Sequence, residues 1–163
     1  MTEDWPADWD DLVKGVGCGM CAQGRPERTE YGVLIRAGEH TDAYLQRAEV
    51  RPGYSLVVWR GRHVTEPTEL SADEATSYWA DVLAVARGLI ACYRPLKMNY
   101  ETLGNSLPHL HTHLVPRYRV DPAPGRPFPL GPGEAKLPDS EIEHQAARLR
   151  AHFERHPNGA GEG

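Results

Sequence analysis

Between residues 31 and 59 the chain carries three short runs, YGVLIR (31–36), DAYLQR (42–47) and YSLVVW (54–59), mixing β-branched, aromatic and polar residues. Turn chemistry separates them, AGEHT and then Pro52-Gly53, which predicts an antiparallel meander. The period then changes. From Ser71 to Tyr93 the residues Trp79, Val82, Leu83, Ala86, Leu89, Ile90 and Tyr93 recur at helical spacing, and Ser71 with Glu74 makes a capping box. That stripe is expected to face a core. LKMNY (96–100) returns to extended structure, and HLHTHLV (109–115) alternates strictly between imidazoles and residues that can pack. Pro108 and Pro116 bracket it and, having no N–H to donate, suit strand ends or an edge. A short helix is expected over Asp8–Lys14. A last helix is expected within 139–156, capped by Asp139 or Ser140.

Six prolines and three glycines between Asp121 and Pro138 exclude a regular element there, so 119–138 is expected to form an ordered loop or arm. Residues 157–163 are expected to be a frayed tail. No internal repeat is present. At 163 residues and 40% hydrophobic content the chain is long enough for one domain with a real core, spanning 1–163 and centred on 18–118.

A formal charge of −5 and a pI near 5.9 argue against a nucleic-acid backbone as the main ligand. No run approaches the ~18 apolar residues of a membrane span, and the acidic start MTEDWPADWDD has no apolar core, so a cytoplasmic location is expected. Three cysteines, an odd count, do not suggest a disulfide framework. Cys18 and Cys21 form a C-x-x-C pair, which redox motifs, zinc half-sites and plain reduced thiols all share.

In a strand, His109, His111 and His113 project from one face about 6–7 Å apart. Such a set can bind metal, decorate a wet surface or catalyse. No acidic residue lies between Gly104 and Arg119 to complete a hydrolytic metal centre, which lowers the metal-only reading. The preceding LGNSLP raises the catalytic one. Its glycine turn, Asn105 and Ser106 can offer N–H groups, an amide and a hydroxyl to phosphate oxygens beside the imidazoles. A neutral imidazole is a competent nucleophile, and a second one beside it can serve the leaving group.

NSLPHLHTHLVPRY resembles the signature of the histidine triad (HIT) hydrolases and transferases, three histidines alternating with apolar residues. The resemblance extends to CGMC, to RPGYSLVVWRGRH and to the long helix between, covering about residues 18–118. It implies an α+β fold with an antiparallel sheet of about five strands, a long helix and a C-terminal helix, usually in a homodimer that binds a nucleotide over the sheet. It implies that His111 attacks the α-phosphate to form a nucleotidyl-histidine, and that His113 contacts the phosphate and aids the leaving group. Asn99, Asn105, Ser106, Gln46 and Tyr54 fall among the substrate contacts. His109 fixes the strand or, in zinc-bearing relatives, joins Cys18, Cys21 and His63 as a structural zinc ligand.

Three positions depart from that pattern. Thr112 replaces an apolar residue inside the triad, Tyr54 stands where a helper histidine is usual, and Gln46 where many relatives carry an acid for the ribose. The Thr112 methyl can still pack, whereas the exchanges at Tyr54 and Gln46 predict weak activity on long polyphosphates and tolerance of more than one base. The leading expectation is a hydrolase or nucleotidyl transferase acting on a phosphoanhydride or phosphoramidate bond. The alternatives are a non-catalytic nucleotide- or zinc-binding module on the same scaffold, and a tri-histidine metal centre.

Overall fold

A computed structural model of the chain describes residues 4–48, 51–129 and 135–160. The elements are α1 (Trp9–Val13), α2 (Gly19–Ala22), β1 (Gly32–Ala37), β2 (Thr41–Gln46), β3 (Ser55–Trp59), α3 (Ala72–Tyr93), β4 (Lys97–Glu101), β5 (His111–Arg117) and α4 (Asp139–Arg155). The strands form an antiparallel sheet in the order β1-β2-β3-β5-β4, so the α+β, five-stranded expectation holds. Parts of the expected arm (130–134) and tail (161–163) lie outside the described residues.

Because side chains alternate across a strand, the sheet separates a core face from a site face. Val33, Ile35, Ala43, Leu45, Val57, Trp59, Met98, Leu110 and Leu114 pack in one core with α3 and α4. Helix α4 contributes Ile142, Ala146, Leu149 and Phe153 to that core. The buried stripe of α3 is Tyr78, Val82, Val85, Ala86 and Leu89, displaced by one position from the sequence expectation at its start. Trp79, Leu83 and Ile90 lie outward, 37%, 41% and 42% exposed. A tyrosine can replace a tryptophan in a dry core only if its hydroxyl finds a partner, and Tyr78 finds one: its hydroxyl is 2.8 Å from Thr112 Oγ1.

The capping box of Ser71 and Glu74 forms as expected. Helix α4 instead follows Pro138 with no side-chain cap, and the Asp139 carboxylate pairs with Arg47. Pro116 lies within β5, an interior strand. Its missing N–H is tolerated because the pairing of β5 with β3 ends at Leu114 opposite Ser55, leaving only the ladder with β4. Among the described residues, no helix is long and apolar enough to cross a membrane.

Candidate active site

The alternation that sends Leu110, Thr112 and Leu114 toward the helices sends His111 and His113 to the other face. There the two rings meet, with Nε2 to Nε2 at 3.1 Å. His111 Nδ1 lies 2.7 Å from the carbonyl oxygen of His109. A carbonyl only accepts, so Nδ1 of neutral His111 carries the proton and Nε2 holds the lone pair. Burial pushes the pKa of His111 down, and burial followed by the charges of His111 and Arg51 holds His113 at about 4. Both are therefore neutral at ordinary pH, the form in which imidazole is a nucleophile. Just before β3, Tyr54 stacks almost parallel to His113 and its hydroxyl sits 2.7 Å from His113 Nδ1.

A second cluster adjoins the first. Cys18 precedes α2, Cys21 lies within it, His63 follows β3 and His109 precedes β5, and their ligand atoms all fall within 4.8 Å of one another. His109 Nδ1 is 3.4 Å from Cys18 Sγ and 3.5 Å from Cys21 Sγ, and His63 Nδ1 is 3.3 Å from Cys21 Sγ. These separations suit a tetrahedral ion, whose sulfur and nitrogen ligands stand about 3.5 Å apart. The other nitrogen of His109 bonds the Trp59 carbonyl at 2.8 Å, which leaves Nδ1 for the thiols. Gly15 is needed behind His63: it has φ +84°, and a Cβ there would come within 3.0 Å of the ring. Without an ion, burial and then Cys18 push the Cys21 thiol up to about 11. The four residues could hold a metal.

The other sequence candidates are more scattered. Gln46 is buried on the site face of β2 and its amide donates to the Tyr44 carbonyl. Asn99, on β4, accepts through Oδ1 from Arg117. Asn105 and Ser106 are exposed in the turn that begins at Gly104, φ +99°. Beside Asn99 and Arg117, a groove of about 660 Å³ runs between β4 and the 121–127 loop.

Sequence reasoning missed two anchors. Asp42, fully buried on β2, accepts from both Arg25 and Arg60, and Arg60 also donates to the Met20 carbonyl in the cysteine turn. This carboxylate therefore clips the N-terminal segment onto the sheet through charge-assisted bonds. Arg117 binds Asp121 and the carbonyls of Ala123 and Arg126, holding the proline-rich loop against β4 and Asn99. The usable signal was the alternation of Asp42, Tyr44 and Gln46 on the face opposite the core.

Residues 28–120, more than half of the chain, match the HIT domain family model. The chain belongs to the HIT family. Over 85 residues this HIT protein is 31% identical to Protein hit of Bacillus subtilis, covering 49% of the chain and 58% of that protein. Over 88 residues it is 27% identical to bis(5'-adenosyl)-triphosphatase of Saccharomyces cerevisiae, covering 51% and 43%. The matches thus span about half the length of these curated relatives. A histidine triad protein of Bradyrhizobium japonicum shares the fold at a TM-score of 0.68 and 23% identity, covering 75% of this chain and 90% of that one. A zinc-bound histidine triad family protein of Mycobacterium smegmatis shares it at 0.56 and 18%, covering 86% and 93%.

Proposed function

We propose that this HIT protein is a nucleotide-conjugate hydrolase or nucleotidyl transferase with His111 as nucleophile. The observation that carries this reading is the His111 ring: Nδ1 is bound to the His109 carbonyl, so the Nε2 lone pair faces His113 on the side of the sheet opposite the core. The lone pair forms a bond to the α-phosphorus as the bond to the leaving group breaks. Water or another acceptor then displaces His111. The relative named bis(5'-adenosyl)-triphosphatase supports a phosphoanhydride as one substrate class. The groove beside Asn99 is the place for the leaving group, since Glu101 of the same strand pairs with His113. Asn105 and Ser106 are phosphate contacts and Gln46 a ribose contact, its amide lacking the charge that would select strongly among nucleosides. A non-catalytic binding module would not need a lone pair directed in this way.

Cys18, Cys21, His63 and His109 are a structural zinc site in this reading, and the zinc-bound relative supports the choice of ion. Zinc there would supply a closed shell joining the N-terminal turn to β3 and β5, with no open position for substrate. A homodimer is part of the proposal. Edge strand β4 has no outer partner among the described residues, and Tyr100 on it is exposed, as are Trp79, Leu83 and Ile90 of α3.

The test is turnover of adenosine and guanosine phosphoramidates and dinucleoside polyphosphates, with products identified by mass spectrometry. Release of the nucleoside monophosphate by the wild type, and a loss of at least ~10³-fold in His111→Ala, is the expected outcome. Comparable rates in the two proteins, or no turnover of any conjugate, contradict the proposal.

A further inference from the structure

The hydrogen bonds around His111 set the direction of the protons between it and Tyr54. His111 Nδ1 donates to the His109 carbonyl, so its Nε2 can only accept. The partner of that Nε2, 3.1 Å away, is Nε2 of His113, which must therefore carry the proton. With its one proton on Nε2, neutral His113 presents a bare Nδ1, and the group 2.7 Å from it is the Tyr54 hydroxyl. The phenol is the only donor in that pair. One unbroken sequence results, from Tyr54 O–H to His113 Nδ1, and from His113 Nε2–H to the His111 lone pair. The planes of phenol and imidazole are nearly parallel, 7° apart. The guanidinium of Arg51 sits 4.3 Å over the tyrosine ring.

We infer that Tyr54 is a positioning residue for the transfer reaction, holding the proton that His113 relays to the leaving group. The inference rests on the reading of His111 as nucleophile. In the first step the His111 Nε2 lone pair bonds to phosphorus and the bond from phosphorus to the leaving group breaks. His113 passes its Nε2 proton to the departing oxygen or nitrogen and takes the Tyr54 proton on Nδ1, leaving a phenolate. In the second step water attacks phosphorus and gives a proton to His113 Nε2, while the Nδ1 proton returns to Tyr54. The bond from phosphorus to His111 breaks and its electron pair goes back to Nε2. The site ends as it began, with one water consumed. A neutral His113 has a single proton to give, and the burial that holds it neutral makes a second source necessary.

The relay matters in proportion to the basicity of the leaving group. An alkylamine must be protonated to depart, whereas 4-nitrophenolate departs as the anion. Tyr54→Phe keeps the ring beneath Arg51 and beside His113 and removes only the donor. With adenosine 5'-phosphoramidate of an alkylamine, kcat/KM should fall by about 10²-fold, within the usual range for general acid catalysis. The fall on the adenosine 4-nitrophenyl phosphodiester should be smaller by about tenfold or more. Tyr54→His, which restores a donor, should recover most of the difference. Equal falls on the two substrates, or none on the amine conjugate, overturn the inference while leaving the nucleophile standing. Nitrogen-15 NMR tests the arrangement without turnover: wild-type His113 should be protonated at Nε2 and bare at Nδ1, with that preference lost in Tyr54→Phe. A wild-type His113 protonated at Nδ1 overturns it. Absence of wild-type turnover on both conjugates counts against the nucleotide reading itself.

Discussion

His109 binds His111 through its backbone while its own ring faces the cysteines: the carbonyl oxygen is 2.7 Å from His111 Nδ1, and the ring Nδ1 is 3.4 Å from Cys18 Sγ. One residue thus belongs to both clusters. Whatever fixes the His109 ring also fixes the acceptor that orients His111, so under the proposed function the cysteine-histidine cluster and the transfer chemistry are mechanically joined.

Zinc is accordingly expected at about one ion per chain, with Cys21→Ser losing metal and stability together. Cross-links of this kind are worth about 2–5 kcal/mol, which in a domain of this size lowers Tm by about 5–15 °C. Elemental analysis alongside thermal melts checks this. A metal-free preparation that melts at the wild-type temperature would return Cys18 and Cys21 to the status of two reduced thiols.

Beneath the triad, Thr112 Oγ1 is 2.8 Å from both Tyr78 and Thr102 hydroxyls, in a region where Thr112 and Tyr78 are fully buried. Thr112→Val strands the Tyr78 hydroxyl without a partner and should cost about 1–3 kcal/mol, whereas Tyr78→Phe leaves Thr112 bonded to Thr102 and should cost about 0.5–1.5 kcal/mol. The double variant should be more stable than the sum of the two costs implies. Urea unfolding measures all three, and strict additivity would show that the hydroxyls are not coupled.

Histidine spacing, the meander and the long helix were legible because each is a short-range pattern of period two or 3.6. Thr112 was legible only as a packing methyl, since the value of its hydroxyl depends on Tyr78, 34 residues away. For the same reason Trp79 stood in the expected stripe where Tyr78 is buried. The cysteine pair alone left three chemistries open. Only the family resemblance, and then the fold, joined it to His109, 91 residues from Cys18. Asp42 was legible only as one of the alternating polar positions of its strand, because an acid there looks solvated until Arg25 and Arg60 are brought to it from both sides.

Acid should destabilise the fold through His113. Its folded value of about 4 lies below the 6.5 of free imidazole, so between these values the unfolded chain binds the proton and the folded site does not. This contribution is complete above about pH 6.5 and is lost as pH falls toward 4. The groups facing the ring are His111, the Arg51 cation, the Tyr54 hydroxyl and, across the ladder, Glu101. Stability should drop by up to about 1.4 kcal/mol per pH unit from this one proton. His113→Gln should flatten the slope by that amount. An unchanged slope in the variant would mean that His113 is protonated in the folded protein.

The proposed nucleophilic role of His111 is tested most directly by the stereochemistry at phosphorus. An adenosine phosphorothioate conjugate of known configuration, turned over in oxygen-18 water, reports how many displacements occur at the α-phosphorus. Two in-line displacements, first by His111 Nε2 and then by water, predict net retention. Net inversion would mean that water attacks phosphorus directly, and that His111 never becomes covalently bound to the nucleotide.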